Sequence, residues 1–334
     1  MQRQQQLTLW LHSQFPDQPF TLAPASADAS FRRYFRATFA HGETRIVMDA
    51  PPQHEDCRPF LHIAQLFQEA GIHVPHVYAH DLTQGFLLLS DLGNTTYLQA
   101  LGEGKGDTVR ALYGAATDAL IKIQLATREN ELPPYSEAVL LREMRLFPEW
   151  YITKHHNVTL SEAQNAKLET VFARIIANNL AQPQVYVHRD YHSRNLMVAE
   201  PNPGILDFQD ALYGPITYDL ASLFKDAYIR WEEAEIIDWL VRYWEKARKV
   251  GLPVADDFSV FYRDYEWMAV QRHLKVLGIF ARLYHRDGKD GYLKDLPLVM
   301  AYLRAACARY IDLKPLLNLL DTLEPKNSSA GYTF

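Results

Sequence analysis

Residues 185–197 read VYVHRDYHSRNLM, and residues 204–214 read GILDFQDALYG. Each stretch opens with a short apolar run, VYV or GIL, which then gives way to polar residues. Short runs of this kind, bounded by turn-forming residues, are typical of strands. We therefore predict two short strands that deliver Asp190 and Asp207 on the turns that follow them.

The spacing of the polar residues after these strands predicts phosphoryl-transfer chemistry. Asp190 ends an H-R-D triplet, Asn195 follows five residues later, and Asp207 opens a D-F-Q triplet. In such an arrangement one aspartate orients an attacking hydroxyl, while an asparagine and a second aspartate hold Mg²⁺. A phosphoryl group in a loose transition state needs charge neutralisation and an aligned nucleophile more than covalent help. We predict Asp190 as the catalytic base, and Asn195 and Asp207 as ligands of Mg²⁺.

The composition predicts a cytoplasmic protein with two lobes. The chain has 334 residues, 48 % of them hydrophobic, which is enough for one large core or two moderate ones. Its formal net charge of −6 is spread without long blocks of one sign, which argues against nucleic acid or a membrane surface as a partner. Cys57 and Cys307 give neither a disulfide framework nor zinc spacing. The chain shows no signal peptide and no apolar run close to the ~20 residues that a membrane span needs, so we expect a cytoplasmic protein. We also expect a monomer.

The pattern along the chain predicts strands in its first part and helices afterwards. We predict a helix over 7–15, a helix over 60–70 that ends at Gly71, and strands over 20–22, 34–39, 44–48, 76–80 and 85–90. Further helices are predicted over 95–101, 107–127, 137–155, 161–180, 218–229, 232–249, 256–285 and 292–321.

This succession predicts an α+β, bilobal fold. The small lobe, 1–92, would contain a five-stranded antiparallel sheet and one helix and would bind the nucleotide. The larger lobe, 93–323, would be mostly helical and would hold the catalytic groups and the acceptor, and 324–334 would form a flexible tail.

The nucleotide contacts are predicted from position. The loop over 26–34 lies between the first two strands, where kinase-like folds close a loop over the ATP phosphates, but it has no glycine, so a polar hairpin turn is the alternative. The backbone of residues 90–92 would face the adenine where the lobes join, and Gly93 would let the chain change direction. Arg194 would touch the phosphates or form a salt bridge. The predicted nucleotide contacts are Asp28, Ser30, Phe31, Arg32, Arg36, Arg45, Ser90, Asp91, Leu92 and Arg194.

One expected element is missing from the third strand. In kinases this strand carries a lysine that holds the α- and β-phosphates and pairs with a helix glutamate, yet residues 44–49 read TRIVMD. Arg45 and, from the neighbouring strand, Arg36 are the available cations, and a guanidinium can hold phosphate with two hydrogen bonds. Either arginine is alternatively a solvated strand residue. Glu55 and Glu69 are the candidate helix partners.

The chain resembles the aminoglycoside phosphotransferase and choline kinase superfamily over about residues 20–320. It is most similar to a bacterial subgroup, the kinases of the anomeric hydroxyl of N-acetylmuramate and N-acetylglucosamine. The strings that carry this resemblance are ADASFRRYFR (27–36), VMDAPP (47–52), CRPF (57–60), GFLLLSDLG (85–93), FPEWY (147–151), LDFQDALYGPITYD (206–219), LFKDA (223–227) and RHLKVLGIFAR (272–282).

The resemblance implies a kinase-like fold and ATP- and Mg²⁺-dependent transfer of phosphate to the C1 hydroxyl of an amino sugar. The sugar 1-phosphate would then enter peptidoglycan recycling and be converted to a UDP-sugar. The missing strand lysine departs from the wider superfamily but fits the VMDAPP string of the subgroup. In kinase-like folds an aspartate placed like Asp219 braces the backbone of the H-R-D triplet, and His188 is expected to support the same turn.

The acceptor sugar is expected beyond Asp190, against the helical lobe. The carboxylate of N-acetylmuramate would need a cation or backbone N–H donors. Arg272 and Lys275 share one face of the predicted helix 256–285, although a charged flank facing water is the alternative. Likewise, the aromatic residues at 150–151 either stack on the sugar or belong to the core. The predicted sugar contacts are Arg33, Glu149, Tyr151, His192, Asp210, Asp226, Arg272 and His273.

Two other functions remain open from the sequence. One is a kinase of the same superfamily that acts on an aminoglycoside, choline or homoserine, for which a cationic acceptor would call for an acidic or aromatic pocket. The other is a regulatory ATP-binding protein with little activity. Only the missing strand lysine favours the regulatory protein, whereas the complete set of Asp190, Asn195 and Asp207 argues against it.

Overall fold

Five short strands within residues 20–90 form one antiparallel sheet. The computed structural model describes residues 2–27, 31–103 and 106–323. The strands are β1 (Phe20–Ala27), β2 (Arg33–Phe39), β3 (Thr44–Asp49), β4 (Val77–Asp81) and β5 (Phe86–Ser90). Their order is β1-β2-β3-β5-β4, and every neighbouring pair is antiparallel. The predicted α+β class and five-stranded sheet are confirmed.

Two helices accompany this sheet. Helix α1 (Gln2–Gln14) begins earlier than predicted and packs against the sheet through Leu7 and Leu11, which are completely buried. Helix α2 (Arg58–Glu69) is followed by Gly71, whose φ of 69° lies in the left-handed region that glycine adopts readily. The predicted end of this helix at Gly71 is therefore confirmed.

The rest of the chain is mostly helical. The α-helices are α3 (Tyr97–Glu103), α4 (Asp107–Leu125), α5 (Glu137–Leu146), α6 (Glu162–Ala181), α7 (Tyr218–Phe224), α8 (Glu233–Lys249), α9 (Phe258–Asp287), α10 (Leu296–Arg309) and α11 (Lys314–Leu323). A π-helix occupies Phe147–His155, and 3₁₀ helices occupy Asp290–Asp295 and Ile311–Leu313. Within the described ranges, no helix has both the length and the apolar character that crossing a membrane requires.

Four more strands make up two small ribbons. These strands are β6 (Gln184–Val187), β7 (Leu196–Met197), β8 (Gly204–Ile205) and β9 (Leu212–Pro215), and they pair as β6-β9 and β7-β8. The two strands predicted before Asp190 and Asp207 are β6 and β8. Their partners, β7 and β9, were not predicted because runs of two to four residues carry almost no periodic signal.

Two of the predicted helices are wrong as single elements. The helix predicted over 292–321 is interrupted at Tyr310, which is extended, with φ −111° and ψ 123°. Pro315 fits the first turn of α11 but would clash inside a longer helix. The helix predicted over 137–155 turns into the π-helix at Phe147, because Pro148 has no N–H to continue the α-helical hydrogen bonds.

The chain divides into two compact units. Unit 1 contains the residues up to Ala126 together with Arg194–Ala211, and unit 2 contains Thr127–Ser193 together with the residues from Leu212 onward. The five-stranded sheet and the β7-β8 ribbon therefore belong to unit 1, whereas the β6-β9 ribbon and helices α5 to α11 belong to unit 2.

Candidate active site

In unit 2, β6 leads directly into the H-R-D turn, which has an unusual backbone. Arg189 has a φ of 78°, a left-handed conformation that is uncommon for a residue with a side chain. The buried carboxylate of Asp219 holds this turn by accepting the N–H of His188 at 2.6 Å and the N–H of Arg189 at 3.0 Å. Nδ1 of the buried His188 accepts the N–H of Asp190 at 3.2 Å. The predicted supporting roles of Asp219 and His188 are confirmed.

The charge of Asp190 is set by its surroundings in unit 2. Burial by itself would raise the pKa of this carboxyl, but electrostatic interactions with Lys275, His192 and Arg272 lower it more. The net result is a pKa well below the usual range. Asp190 is therefore ionised at neutral pH and can accept a hydrogen bond from a hydroxyl group.

A buried cluster of charges, which we call the Glu143 cluster, lies behind the turn. Glu143 on α5 accepts Nη2 of Arg189 at 2.6 Å and Nε2 of Gln271 at 3.1 Å, also contacts the hydroxyl of Tyr135, and lies 3.2 Å from Nζ of Lys275. Burial opposes the charge of Glu143, but the two cations hold its pKa at about 2. Lys275 is buried here, so the alternative of a charged flank facing water is wrong.

We expect Glu143→Gln to lower the free energy of unfolding by about 3 kcal/mol, because it removes the counter-charge that Glu143 provides to the buried Arg189 and Lys275. The effect depends on pH. Since the pKa of Glu143 is about 2 in the folded protein against an ordinary 4.5, its contribution is complete above about pH 4.5 and is lost as the pH falls toward 2. Urea denaturation of both proteins from about pH 7 down to pH 3 measures this loss.

The exposed Glu169→Gln on α6 serves as the matched control, since Glu169 pairs with Arg145 at the surface and its removal is expected to change little. A stability difference between wild type and Glu143→Gln that stayed constant over this pH range would contradict a native-state role for the Glu143 charge.

A second buried carboxylate holds the other end of the same turn. Asp226 accepts the N–H of Ser193 at 3.0 Å and its hydroxyl at 2.5 Å through Oδ2, and the N–H of Tyr228 at 3.1 Å through Oδ1. Arg272 has 4 % of its surface exposed; burial opposes its charge, but interactions with Tyr218, Asp190 and Asp226 raise the pKa of its guanidinium. The Asp226–Ser193 contact was not predicted, because the two residues are 33 positions apart.

In unit 1, the β7-β8 ribbon brings together the two residues predicted to bind metal. The N–H of Leu206 donates to the carbonyl of Asn195 at 2.9 Å. Nδ2 of Asn195 lies 3.4 Å from Oδ2 of Asp207, and Nε2 of Gln209 donates to Oδ1 of Asp207 at 2.8 Å. Asp207 has a φ of 61°, so its backbone is also left-handed. An amide and a carboxylate oxygen are hard donors that suit Mg²⁺, which prefers few protein ligands.

These two side chains border a cavity of about 360 Å³ that lies entirely in unit 1. Its walls are largely apolar, with Ile46 of β3, Leu89 of β5 and Met197 of β7 among them. We call it the nucleotide cavity because several of the predicted nucleotide contacts line it. The predicted nucleotide contacts that line it are Arg36, Ser90, Asp91, Leu92 and Arg194.

The connection after β5 is fixed by a charge pair. Arg36 donates from Nε to Oδ2 of Asp91 at 2.5 Å and from Nη2 to Oδ1 of Asp91 at 3.0 Å, and Nη2 also reaches the carbonyl of Gly93 at 3.0 Å. Burial opposes the charge of Asp91, yet Arg36 and the N–H of Gly93 lower its pKa. The sequence predicted only backbone contacts at this position and missed the side-chain pair.

The loop before β2 contributes two of its predicted residues within the described ranges. Arg32 donates from Nη2 to Oδ1 of Asp207 at 3.1 Å. Phe31 donates its N–H to Glu55 at 3.3 Å, and its exposed ring stacks on His54. The predicted contacts Asp28 and Ser30 lie outside the described residues.

The remaining predicted contacts occupy several places. In unit 1, Arg33 pairs with Asp49, Arg45 pairs with Glu43, and the exposed Asp210 borders a second cavity. In unit 2, Glu149 is exposed on the π-helix, the buried Tyr151 stacks on Phe147, His192 packs against Tyr228, and the buried His273 stacks on Tyr302. Of the predicted sugar contacts, the structure thus brings His192 and Arg272 close to the charge of Asp190.

The fold, the H-R-D turn and the Asn195–Asp207 pair define a kinase-like phosphotransferase. The chain belongs to the phosphotransferase enzyme family, whose sequence model matches residues 21–257. It is 48 % identical to the N-acetylmuramate/N-acetylglucosamine kinase of Neisseria meningitidis over 336 aligned residues, which cover 100 % of both chains. It is 49 % identical to the enzyme of the same name from Pseudomonas aeruginosa, with 98 % of each chain covered.

Among solved structures, choline kinase LicA from Streptococcus pneumoniae has a similar fold. The TM-score is 0.62 at 12 % identity, and the match covers 92 % of this chain and 99 % of that one. The resemblance to the aminoglycoside phosphotransferase and choline kinase superfamily is thus confirmed. The chain is a kinase, and membership of this family implies ATP as the phosphoryl donor.

Proposed function

We propose that the chain transfers the γ-phosphoryl group of ATP to the anomeric C1 hydroxyl of N-acetylmuramate and N-acetylglucosamine. The observation that carries this proposal is the identity of 48–49 % over essentially the whole chain with two relatives named for these sugars. The product would be a sugar 1-phosphate that peptidoglycan recycling converts to UDP-N-acetylmuramate.

Asp190 would position the acceptor hydroxyl. An anomeric hydroxyl is more acidic than an ordinary alcohol, so it needs less help in losing its proton. The cations around Asp190 keep its pKa low, which favours a carboxylate that accepts a hydrogen bond and aligns the hydroxyl for attack. Asp219 and Asp226 would keep this carboxylate in place by holding the two ends of its turn.

Asn195 and Asp207 would hold Mg²⁺. Bound there, the ion would neutralise the charge of the phosphates during transfer. The hydrogen bond from Gln209 to Oδ1 of Asp207 orients the carboxylate, and the apolar walls of the nucleotide cavity would receive the base. Their location in one unit supports the assignment of unit 1 to nucleotide and metal binding.

Sugar recognition is assigned to unit 2, where Lys275, His192 and Arg272 interact electrostatically with Asp190. A buried guanidinium is suited to the carboxylate of N-acetylmuramate or to a carbonyl oxygen of the N-acetyl group. Asp226 is 0 % exposed and accepts three hydrogen bonds from the protein. We therefore favour a positioning role for Asp226 over its predicted contact with the sugar.

The proposal retains the prediction of a monomeric cytoplasmic enzyme with lobes over 1–92 and 93–323. The other predicted sugar contacts, Arg33, Glu149, Tyr151, Asp210 and His273, also remain predictions.

Turnover of a panel of acceptors tests the proposed substrates. We expect ADP release with N-acetylmuramate and N-acetylglucosamine at rates at least about 100-fold above those with choline, kanamycin or homoserine, because a site built for one set of polar groups rejects others strongly. ³¹P NMR of the product is expected to show phosphate on the anomeric carbon. A 6-phosphate product would refute the proposed position while leaving the kinase activity intact, and preferred turnover of choline or kanamycin would replace the proposed substrates.

A further inference from the structure

The cation that replaces the missing strand lysine is the open question in the nucleotide site. Both arginines considered from the sequence are engaged away from Asp207. Arg45 forms an ion pair with Glu43, and its guanidinium lies 4.2 Å from the ring centroid of Tyr78. Arg36 binds the carboxylate of Asp91 and the carbonyl of Gly93.

Arg32 lies elsewhere, directly before β2, and its side chain points inward. Only 10 % of that side chain is exposed, and Nη2 lies 3.1 Å from Oδ1 of Asp207. Burying a guanidinium is costly unless it has an anionic partner, so its place beside Asp207 is a specific arrangement. Arg32 therefore brings a positive charge to the carboxylate that is predicted to bind Mg²⁺.

Arg32 also borders a second cavity of about 370 Å³, again entirely in unit 1. Met48 and Ala50 line it, which places it at the end of β3, the strand that carries the lysine in other kinases. Phe60 lines this cavity and the nucleotide cavity, so the two are neighbours. Gln209, which donates to Asp207, is in its wall as well.

A hydrogen bond holds the backbone next to Arg32 against the wall of this cavity. Glu55, a wall residue, accepts the N–H of Phe31 at 3.3 Å. From the sequence, Glu55 was a candidate partner for a cation on β3. In the structure it instead accepts a hydrogen bond from the backbone of Phe31, the residue before Arg32. Glu69, the other candidate, accepts a hydrogen bond from Gln65 on the exposed surface of α2. Glu55 thus holds the backbone next to Arg32, and Asp207 holds its guanidinium.

We propose that Arg32 is the phosphate-binding cation of this kinase and takes the place of the strand lysine. The inference rests on the proposed function only in requiring a nucleotide polyphosphate as ligand. A guanidinium can donate two parallel hydrogen bonds to phosphate oxygens, which compensates for the position of Arg32 before β2 instead of on β3. Among the described residues that line the second cavity, Arg32 is the only cation. The other charged residues in this lining are carboxylates, which repel phosphate: Glu55, Asp56 and Asp210.

Calorimetric titration of Arg32→Met with nucleotides tests this proposal without any sugar. We expect the affinity for ADP in the presence of Mg²⁺ to fall about 30-fold, the usual worth of charge-assisted hydrogen bonds, while the affinity for adenosine stays within about twofold. Arg110→Met, at an exposed arginine of α4 in the same unit, is the matched control and is expected to change neither value. If Arg32→Met does not fold, Arg32→Gln keeps a polar side chain at the buried position and serves the same test.

Turnover separates the phosphate role from a sugar role. With Arg32→Met, kcat/KM is expected to fall by the same factor for N-acetylmuramate and N-acetylglucosamine, because both reactions use the same donor. A loss confined to N-acetylmuramate, the sugar with the extra carboxylate, would assign Arg32 to the acceptor and overturn the proposal. Unchanged ADP affinity in both Arg32 variants would overturn it too, whichever sugars the wild-type enzyme phosphorylates.

Discussion

Asp190→Asn is expected to lower kcat about 1,000-fold, within the range that general bases contribute. The amide keeps the size of the side chain, but it cannot take the proton of the acceptor hydroxyl. It also cannot balance the charges of Lys275 and Arg272. The nucleotide cavity and both predicted metal ligands lie in unit 1, whereas Asp190 lies in unit 2. We therefore expect the Kd for ADP with Mg²⁺ to change by less than about twofold, since nucleotide binding does not use this carboxylate.

Single-turnover rates and calorimetry on the same preparation give both values. The exposed Asp238→Asn on α8 is the matched control, because it removes a carboxylate of unit 2 that pairs only with the neighbouring Arg242 in the described structure. A full kcat in Asp190→Asn would remove the chemical basis of the proposed activity.

The second large effect is expected at Asp207. Asp207→Asn removes the only carboxylate from the predicted pair of metal ligands, so Mg²⁺ would lose most of its attraction to the site. We expect the Mg²⁺-dependent gain in ADP affinity to fall about 100-fold and kcat to fall about 1,000-fold, because the ion supplies the charge neutralisation for phosphoryl transfer. ADP binding measured with Mg²⁺ and with EDTA separates the metal-dependent part.

Two comparisons make this result decisive. Asp17→Asn, at an exposed turn of unit 1, is expected to bind ADP like the wild type. Asp207→Asn also removes the charge that pairs with the buried Arg32, which lowers stability. The melting temperature therefore has to be measured to show that the variant is folded. Equal losses of ADP affinity in Asp190→Asn and Asp207→Asn would show that the two aspartates do not divide the work in the way proposed.

Local spacing made much of this site predictable. Asp190 and Asn195 are five residues apart in the sequence, and Asp207 follows a short apolar run, so the motif is contained in a few consecutive residues. The same is true of the five-stranded sheet, whose strands alternate or cluster apolar residues over five to eight positions. The helix predicted over 292–321 failed for the opposite reason, because one extended residue, Tyr310, interrupts an otherwise helical pattern.

Pairs of distant residues were much harder to predict. Glu143 and Arg189 are 46 positions apart, and Arg32 and Asp207 are 175 apart. Arg32, Arg36 and Arg45 look alike in the sequence as cations near the first strands. Arg32 is the one that reaches Asp207, and the hydrogen bond from the N–H of Phe31 to Glu55 holds the backbone next to it.

The class of chemistry could be inferred from the residues alone, because a base, an amide and a second carboxylate at these short spacings are typical of phosphoryl transfer. Tertiary structure alone decided which buried charges support them: the Glu143 cluster behind Arg189, the hold of Asp226 on Ser193, and Arg32 at Asp207. The physical reason is that a buried charge is stable only beside a partner, and the partner is chosen by packing between segments that are far apart along the chain.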